Sequence, residues 1–291
     1  VTLTDSTELV DANGSVNLNG HSDYAGNSPP YTTHDETIVY VSPEDVLGYA
    51  RENLDRLERL RGDRAERIAL LALRDWTERE FATLRGTIEA RLAGGFVREG
   101  HGDLHLGNIA RVEGRIVVFD GIDFNAHLRW IDVASEIAFT AMDLEDRGRP
   151  DLAHRFVDAY LSITGDYAGL ALLSFSVVYR ALVRAKVAAL RADQLAAVDG
   201  RASVDLECAG YVALARRHAT AGRPGIVVTH GLSGSGKTAR SQAFLEQVGA
   251  VRLRTDVERR VARSSVKNAP RRTCSCTGAH GIRRASGAWA A

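Results

Sequence analysis

The sequence predicts an α+β chain, a mainly helical body interrupted by one short β-hairpin and followed by the first part of a P-loop α/β domain. Three observations predict it. Apolar residues recur at helical spacing through most of residues 42–220. That run is broken at 96–120, where the polar octet "HGDLHLGN" (101–108) precedes two short β-rich stretches. From 222 the chain reads strand, glycine-rich loop "GLSGSGKT" (231–238), helix, strand, which is how a parallel α/β unit opens.

Taken in order, residues 1–41 are rich in Asn, Gly, Ser, Thr and Asp without sustained periodicity, and read as loop or disorder. Ser42 and Pro43 suit the N-cap and first position of a helix carrying Val46, Leu47, Leu54, Leu57 and Leu60. A second helix is predicted over 64–92, ended by Gly94-Gly95. Phe96–Arg98 and Ile109–Val112 read as short strands, Glu113-Gly114 as a tight turn, and 115–120 as a strand closed by Asp120. Helices follow at 130–148, 150–163, 167–192 and 201–220. Ile226–Thr229 reads as a buried strand, about 237–248 as a helix, and 250–256 as another strand. The expected organisation is a loop or remnant segment at 1–41, a helical body at 42–221, a partial P-loop nucleotide-binding domain at 222–258, and a basic disordered tail at 259–291.

Composition bounds the function. The 291 residues suit two domains, and 45% hydrophobic with 25% charged residues is an ordinary globular mix. Thirty-seven basic residues balance thirty-seven acidic ones, so bulk charge points to neither a nucleic-acid nor a membrane partner. No apolar run approaches the roughly 20 residues that span a bilayer, and the N-terminus carries no secretory pattern. Cys208, Cys274 and Cys276 give no disulfide framework, which favours a reducing cytoplasm. The balance holds only in sum: residues 1–50 contain no Lys or Arg, whereas 259–291 contain eight and no Asp or Glu.

Two constellations carry chemistry. Phosphoryl transfer to a hydroxyl needs a carboxylate that orients the hydroxyl and takes its proton, and hard oxygens that hold Mg²⁺ against nucleotide phosphates. Asp103 suits the first role, with Asn108 five residues on and Asp120 across the hairpin as metal ligands. The spacing of His101 and His105 would suit zinc on a helix, but Gly102 and Gly107 argue against a helix. His101 reads as a structural residue bonded to backbone, and His105 stays open. Asp123 reads as a turn residue or a second metal ligand. In the second constellation, Gly231, Ser233, Gly234, Ser235 and Gly236 turn backbone N–H groups toward phosphates, Lys237 reaches the β/γ-phosphates of ATP, and Thr238 ligates Mg²⁺.

"HGDLHLGNI", "VVFDGIDFN" and "WIDVASEIAF", in that order, resemble the kinase-like C-terminal lobe of the aminoglycoside phosphotransferase family over roughly 42–220. The resemblance implies Asp103 as catalytic base, Asn108 and Asp120 as metal ligands, His101 and His105 as loop or substrate residues, and Asp132 as a brace of the loop. "RLRTDVERR" resembles the end of the second strand in small P-loop kinases, where Asp256 and Arg259 would place an acceptor or metal; Asp256 reads equally as a helix cap. The two halves together resemble the bifunctional aminoglycoside phosphotransferase/ATP-binding protein family of bacteria.

These resemblances imply a cytoplasmic kinase that uses ATP and Mg²⁺ on a small-molecule hydroxyl acceptor. The sequence departs from the pattern twice. No lysine precedes Lys186, although the kinase-like fold grips nucleotide phosphates with a strand lysine, and no Walker B aspartate follows the P-loop. The alternative expectation is therefore a truncated, non-catalytic nucleotide binder whose end, from about 259, is out of frame.

Overall fold

A computed structural model describes residues 31–32, 38–39, 41–61, 64–195, 198–220, 222, 225–232 and 234–253. Within the segment read as loop, β1 (Tyr31–Thr32) and β2 (Ile38–Val39) form a minimal antiparallel ladder. The rest of 1–40, the tail at 259–291, Ser233, Asp256 and Arg259 lie outside the described residues.

Helix α1 (Pro43–Leu60) opens on a capping box. The Ser42 hydroxyl accepts from the Asp45 amide at 3.2 Å, and the Asp45 carboxylate accepts from the Ser42 amide at 2.7 Å. Two otherwise orphaned donors are thereby satisfied. Helix α2 (Arg64–Ala93) follows and leads into β3 (Val97–Glu99). Strands β4 (Ile109–Val112) and β5 (Arg115–Val118) pair as a hairpin. Its turn residues Glu113 and Gly114 both have positive φ, 51° and 84°, the geometry that matches strand twist in a two-residue hairpin.

The helix expected over 130–148 starts later. After the single turn α3 (Ala126–Arg129), residues Trp130–Asp132 form β6, antiparallel to β3 with Val97 opposite Asp132. Helix α4 (Val133–Asp146) begins only then, capped by Asp132 Oδ1 accepting from the Ala134 amide at 2.8 Å. Helical periodicity runs through Ile131, but the backbone of β3 needs a partner, and β6 supplies it.

Helices α5 (Pro150–Thr164), α6 (Leu170–Gln194) and α7 (Val198–His218) complete the body. The main core joins Leu54 and Leu57 of α1, Leu70 and Leu73 of α2, Phe139 and Met142 of α4, Leu182 of α6 and Leu214 of α7. With the turn before it, α6 is long and apolar enough to cross a membrane, which the sequence reading did not register. Yet 56% of its most apolar window is buried by the body, so it is the core helix.

A buried ion network ties the far end of α2 to this core. Arg91 donates to Asp132 at 2.7 and 2.8 Å and to Asp166 at 2.6 and 2.8 Å, and Tyr160 donates to Asp166 at 2.9 Å. Burial raises the Asp166 pKa, but the bonds from Arg91 and Tyr160 outweigh it and hold the carboxyl below its ordinary value.

The expected strand at Ile226–Thr229 does not form. Ile226, Val227 and Val228 are 93%, 67% and 83% exposed and pair with no strand among the described residues. Residues 250–253 likewise have no regular structure, and 254–256 lie outside the described residues. A buried parallel strand exists only as part of a sheet, and none of the described strands flanks these two. Helix α8 (Lys237–Val248) does form, and its C-terminal half packs on α5. Leu245 is buried, and the His154 ring donates to the Glu246 carbonyl at 2.8 Å.

Candidate active site

The octet 101–108 leaves β3, makes a short 3₁₀ turn at Leu106–Asn108 and enters the β4–β5 hairpin. Gly102 sits at φ 81°, where a Cβ would lie 2.7 Å from the Leu128 carbonyl, so only glycine fits. The His101 ring joins two parts of the site. Its Nε2 donates to the Phe119 carbonyl at 2.8 Å, while Nδ1 accepts from the Asp103 amide at 3.3 Å. These bonds fix the Nε2–H tautomer and make His101 a structural clamp.

The His105 ring caps the 3₁₀ turn, with Nδ1 accepting from the Gly107 amide at 3.0 Å. The proton is thus on Nε2, which lies 3.4 Å from Asp103 Oδ2. The ring edge rests on Phe139, 5.5 Å between centroids. Both nitrogens of both histidines are therefore engaged inside the protein, which removes the zinc reading. Asn108, itself buried, donates Nδ2 to the Asp103 carbonyl at 3.0 Å and to Asp103 Oδ2 at 3.3 Å. Its side-chain oxygen is then the group with lone pairs for a cation.

Asp103 is the convergence point, and its side chain is 37% exposed, so a hydroxyl can reach it. Burial raises its pKa, but His105, Arg180 and Arg184 outweigh burial and hold the carboxyl below the ordinary aspartate value. It is an ionised acceptor at neutral pH.

Asp120 is exposed and has φ 62°, a left-handed conformation that a non-glycine residue rarely adopts. Its predecessor Phe119 donates its amide to the Asn108 carbonyl at 3.0 Å and accepts from His101. Asp120 is thereby pinned beside both ends of the octet. One carboxylate and one amide oxygen are hard ligands of the number Mg²⁺ takes from a protein when waters and phosphates fill the remainder, so the donor set fits. Asp123 is an exposed residue of the following loop.

The loop is braced differently from the expectation. The Asp132 side chain bonds to Arg91 and to the Ala134 amide, and so supports the β6–α4 junction. Direct bracing of the loop falls to residues the sequence reading missed. Glu136 accepts from the Gly102 amide at 3.0 Å, Thr140 donates to the Leu104 carbonyl at 2.7 Å, and Asp143 accepts from the Leu106 amide at 2.8 Å. From α6, the buried Arg180 donates to the Gly102 carbonyl at 2.9 Å and stacks on Phe139 at 4.7 Å. A signal was present: Glu136, Thr140 and Asp143 form a polar stripe at spacings of four and three on helix α4, between apolar residues such as Ile137, Ala138, Phe139, Ala141 and Met142.

The phosphate loop is a separate place in the fold. Gly231, Gly234 and Gly236 have φ of 151°, 78° and 78°, and Gly236 is the N-cap of α8. Gly231, Gly234, Ser235, Gly236 and Thr238 are exposed, so the N-terminal amides of α8 open on solvent. Lys237 folds back over the loop, donating Nζ to the Gly231 and Leu232 carbonyls at 2.7 and 2.6 Å.

A protein-family model described as an AAA domain matches residues 226–284, so this segment is a P-loop nucleotide-binding unit. Curated relatives include uncharacterized proteins of Mycobacterium bovis and of two Mycobacterium tuberculosis strains, each 34% identical over 182 residues. Each alignment covers 62% of this chain and 36% of the relative, so the chain spans about a third of those proteins' length. No solved structure matches the chain.

Proposed function

We propose that the protein is an ATP-dependent phosphotransferase acting on a hydroxyl of a small molecule, with a second nucleotide site at the P-loop. The observation that carries the reading is the convergence on Asp103: an ionised, reachable carboxylate held by Asn108 and His105, with Asp120 pinned across the hairpin. The likeness of this loop to the aminoglycoside phosphotransferase pattern supports it.

In this reading Asp103 accepts a hydrogen bond from the acceptor hydroxyl and orients its lone pair. The hydroxyl oxygen forms a bond to the γ-phosphorus as the bond from phosphorus to the β–γ bridging oxygen breaks. The hydroxyl proton passes to Asp103 and then to solvent, leaving ADP and a phosphate monoester. Asn108 and Asp120 would hold a Mg²⁺ ion, which when bound would neutralise phosphate charge. At the second site, Lys237, now on the Gly231 and Leu232 carbonyls, would hold nucleotide phosphates, and Thr238 would ligate the accompanying metal.

Incubation of the chain with ATP, Mg²⁺ and a panel of hydroxyl compounds, followed by ADP release, tests the reading. Release should depend on an acceptor and fall by about 10²-fold or more in Asp103→Asn. Acceptor-dependent release unchanged by that substitution removes Asp103 from the mechanism. The second reading is a nucleotide binder without transfer, favoured by the P-loop match at residues 226–284. It predicts ATP affinity with no acceptor-dependent ADP.

A further inference from the structure

A polycationic acceptor needs several free carboxylates around the base, and most of those on the helices behind Asp103 are already engaged. Asp143 is buried, accepting from the Leu106 amide at 2.8 Å and from Arg147 at 3.3 Å. Glu145 pairs with His218 at 2.8 Å, and Glu136 holds the Gly102 amide. Asp132 and Asp166 both belong to Arg91. Burial, followed by the charge of Asp143, pushes the Asp146 carboxyl above its ordinary value and favours its neutral form. These acidic side chains are bonded elsewhere or biased against their charge, which leaves Asp120, read as a metal ligand, and Asp123 as the exposed carboxylates beside the loop.

The cations near the base have the opposite character. Arg180, bonded to the carbonyl that precedes Asp103, has its Nη2 buried with no hydrogen-bond partner among the described residues. Arg184 lies one turn further along the same face of α6. Its side chain is partly exposed and loosely held: Nε is 3.4 Å from the Tyr211 hydroxyl, and Nη2 is 3.9 Å from Glu207, which Arg191 shares at 3.6 Å. The fully committed Arg91, by contrast, has contacts of 2.6 to 2.8 Å. A guanidinium within reach of solvent, with long contacts and a spare fork, suits a carboxylate or phosphate.

We infer that the acceptor is a hydroxyl compound carrying a carboxylate or phosphate, seated on Arg184 of the α6 cationic face while its hydroxyl meets Asp103. The inference rests on the phosphotransferase reading and deepens it. Arg180 holds the loop and adds positive potential, whereas Arg184 selects the acceptor.

Calorimetric titration of the intact chain with a neutral hexose, a hexose phosphate, a hexonate and a tetra-amino aminoglycoside tests it. An anionic compound should bind about tenfold or more tightly than the neutral hexose, and Arg184→Gln should abolish that difference. Whichever of hexose phosphate and hexonate binds better names the source of the anion. Tightest binding by the aminoglycoside, four indistinguishable affinities, or a preference that survives Arg184→Gln would each overturn the inference. Failure of the phosphotransferase reading looks different: the anionic preference holds, yet no phosphorylated product forms with ATP and Mg²⁺.

Discussion

Asp103 illustrates how neighbours set the working range of one carboxyl. The nearby cations favour its charged form, and a base must be ionised to accept a proton. Transfer should therefore persist as pH falls through neutrality and fail only below about pH 4, the ordinary aspartate range. A pH–rate profile checks this, and an acid limb nearer pH 6 contradicts it. Lys237 offers a second test at this scale. Lys237→Ala should weaken ATP binding at the P-loop by about tenfold or more while leaving the helical body folded, read by calorimetry alongside circular dichroism. The motif residues were legible because Asp, Asn and Lys at fixed spacing have few other uses. The clamp by His101 was legible too. Arg184 was hidden, since an arginine within an apolar helix looks like any surface arginine until Arg180 shows which face meets the loop.

At the scale of elements, the loop at 101–108 is held from outside, by one stripe of α4 and one arginine of α6. Thr140→Val keeps the shape of the side chain and deletes the donor to the Leu104 carbonyl. The half-buried carbonyl then loses its partner, so stability should fall by about 1 kcal/mol, with turnover falling further as the loop loosens. Denaturant melts and kinetics on the one variant separate the two effects. The helices were readable to within a few residues because apolar periodicity dominates a helical core. Strand β6 was not, since three residues carry too little periodicity to outweigh the helical pattern that follows. What makes Trp130–Asp132 a strand is a distant partner, Val97–Glu99, and pairing over such a separation leaves no local signature.

Across the whole molecule, the buried Arg91 network joins the end of α2 to the β6–α4 junction and to Asp166, just after α5. Arg91→Leu would strand two carboxylates, and removal of one partner from such a pair costs about 3–5 kcal/mol. The pH dependence follows from the lowered pKa of Asp166. Its contribution is complete above the unfolded-state value of about 4 and is lost as pH falls through the lower folded value. Thermal melts should show the wild type losing stability over that acid window, with Arg91→Leu losing much less. The P-loop motif was legible in eight residues, but the strand before it was not realised, because Ile226–Val228 supply only their own side chains and no sheet.

The backbone at Asp120 carries a further consequence. A left-handed conformation costs an ordinary residue roughly 1 kcal/mol and costs glycine almost nothing. Glycine would hold the same backbone without that cost, so stability alone does not call for a carboxylate at this position. Asp120→Gly should melt no earlier than the wild type, and Asp120→Val should melt earlier, while both lose Mg²⁺-dependent transfer. A glycine variant that keeps its stability as it goes silent would mark Asp120 as a position held for chemistry.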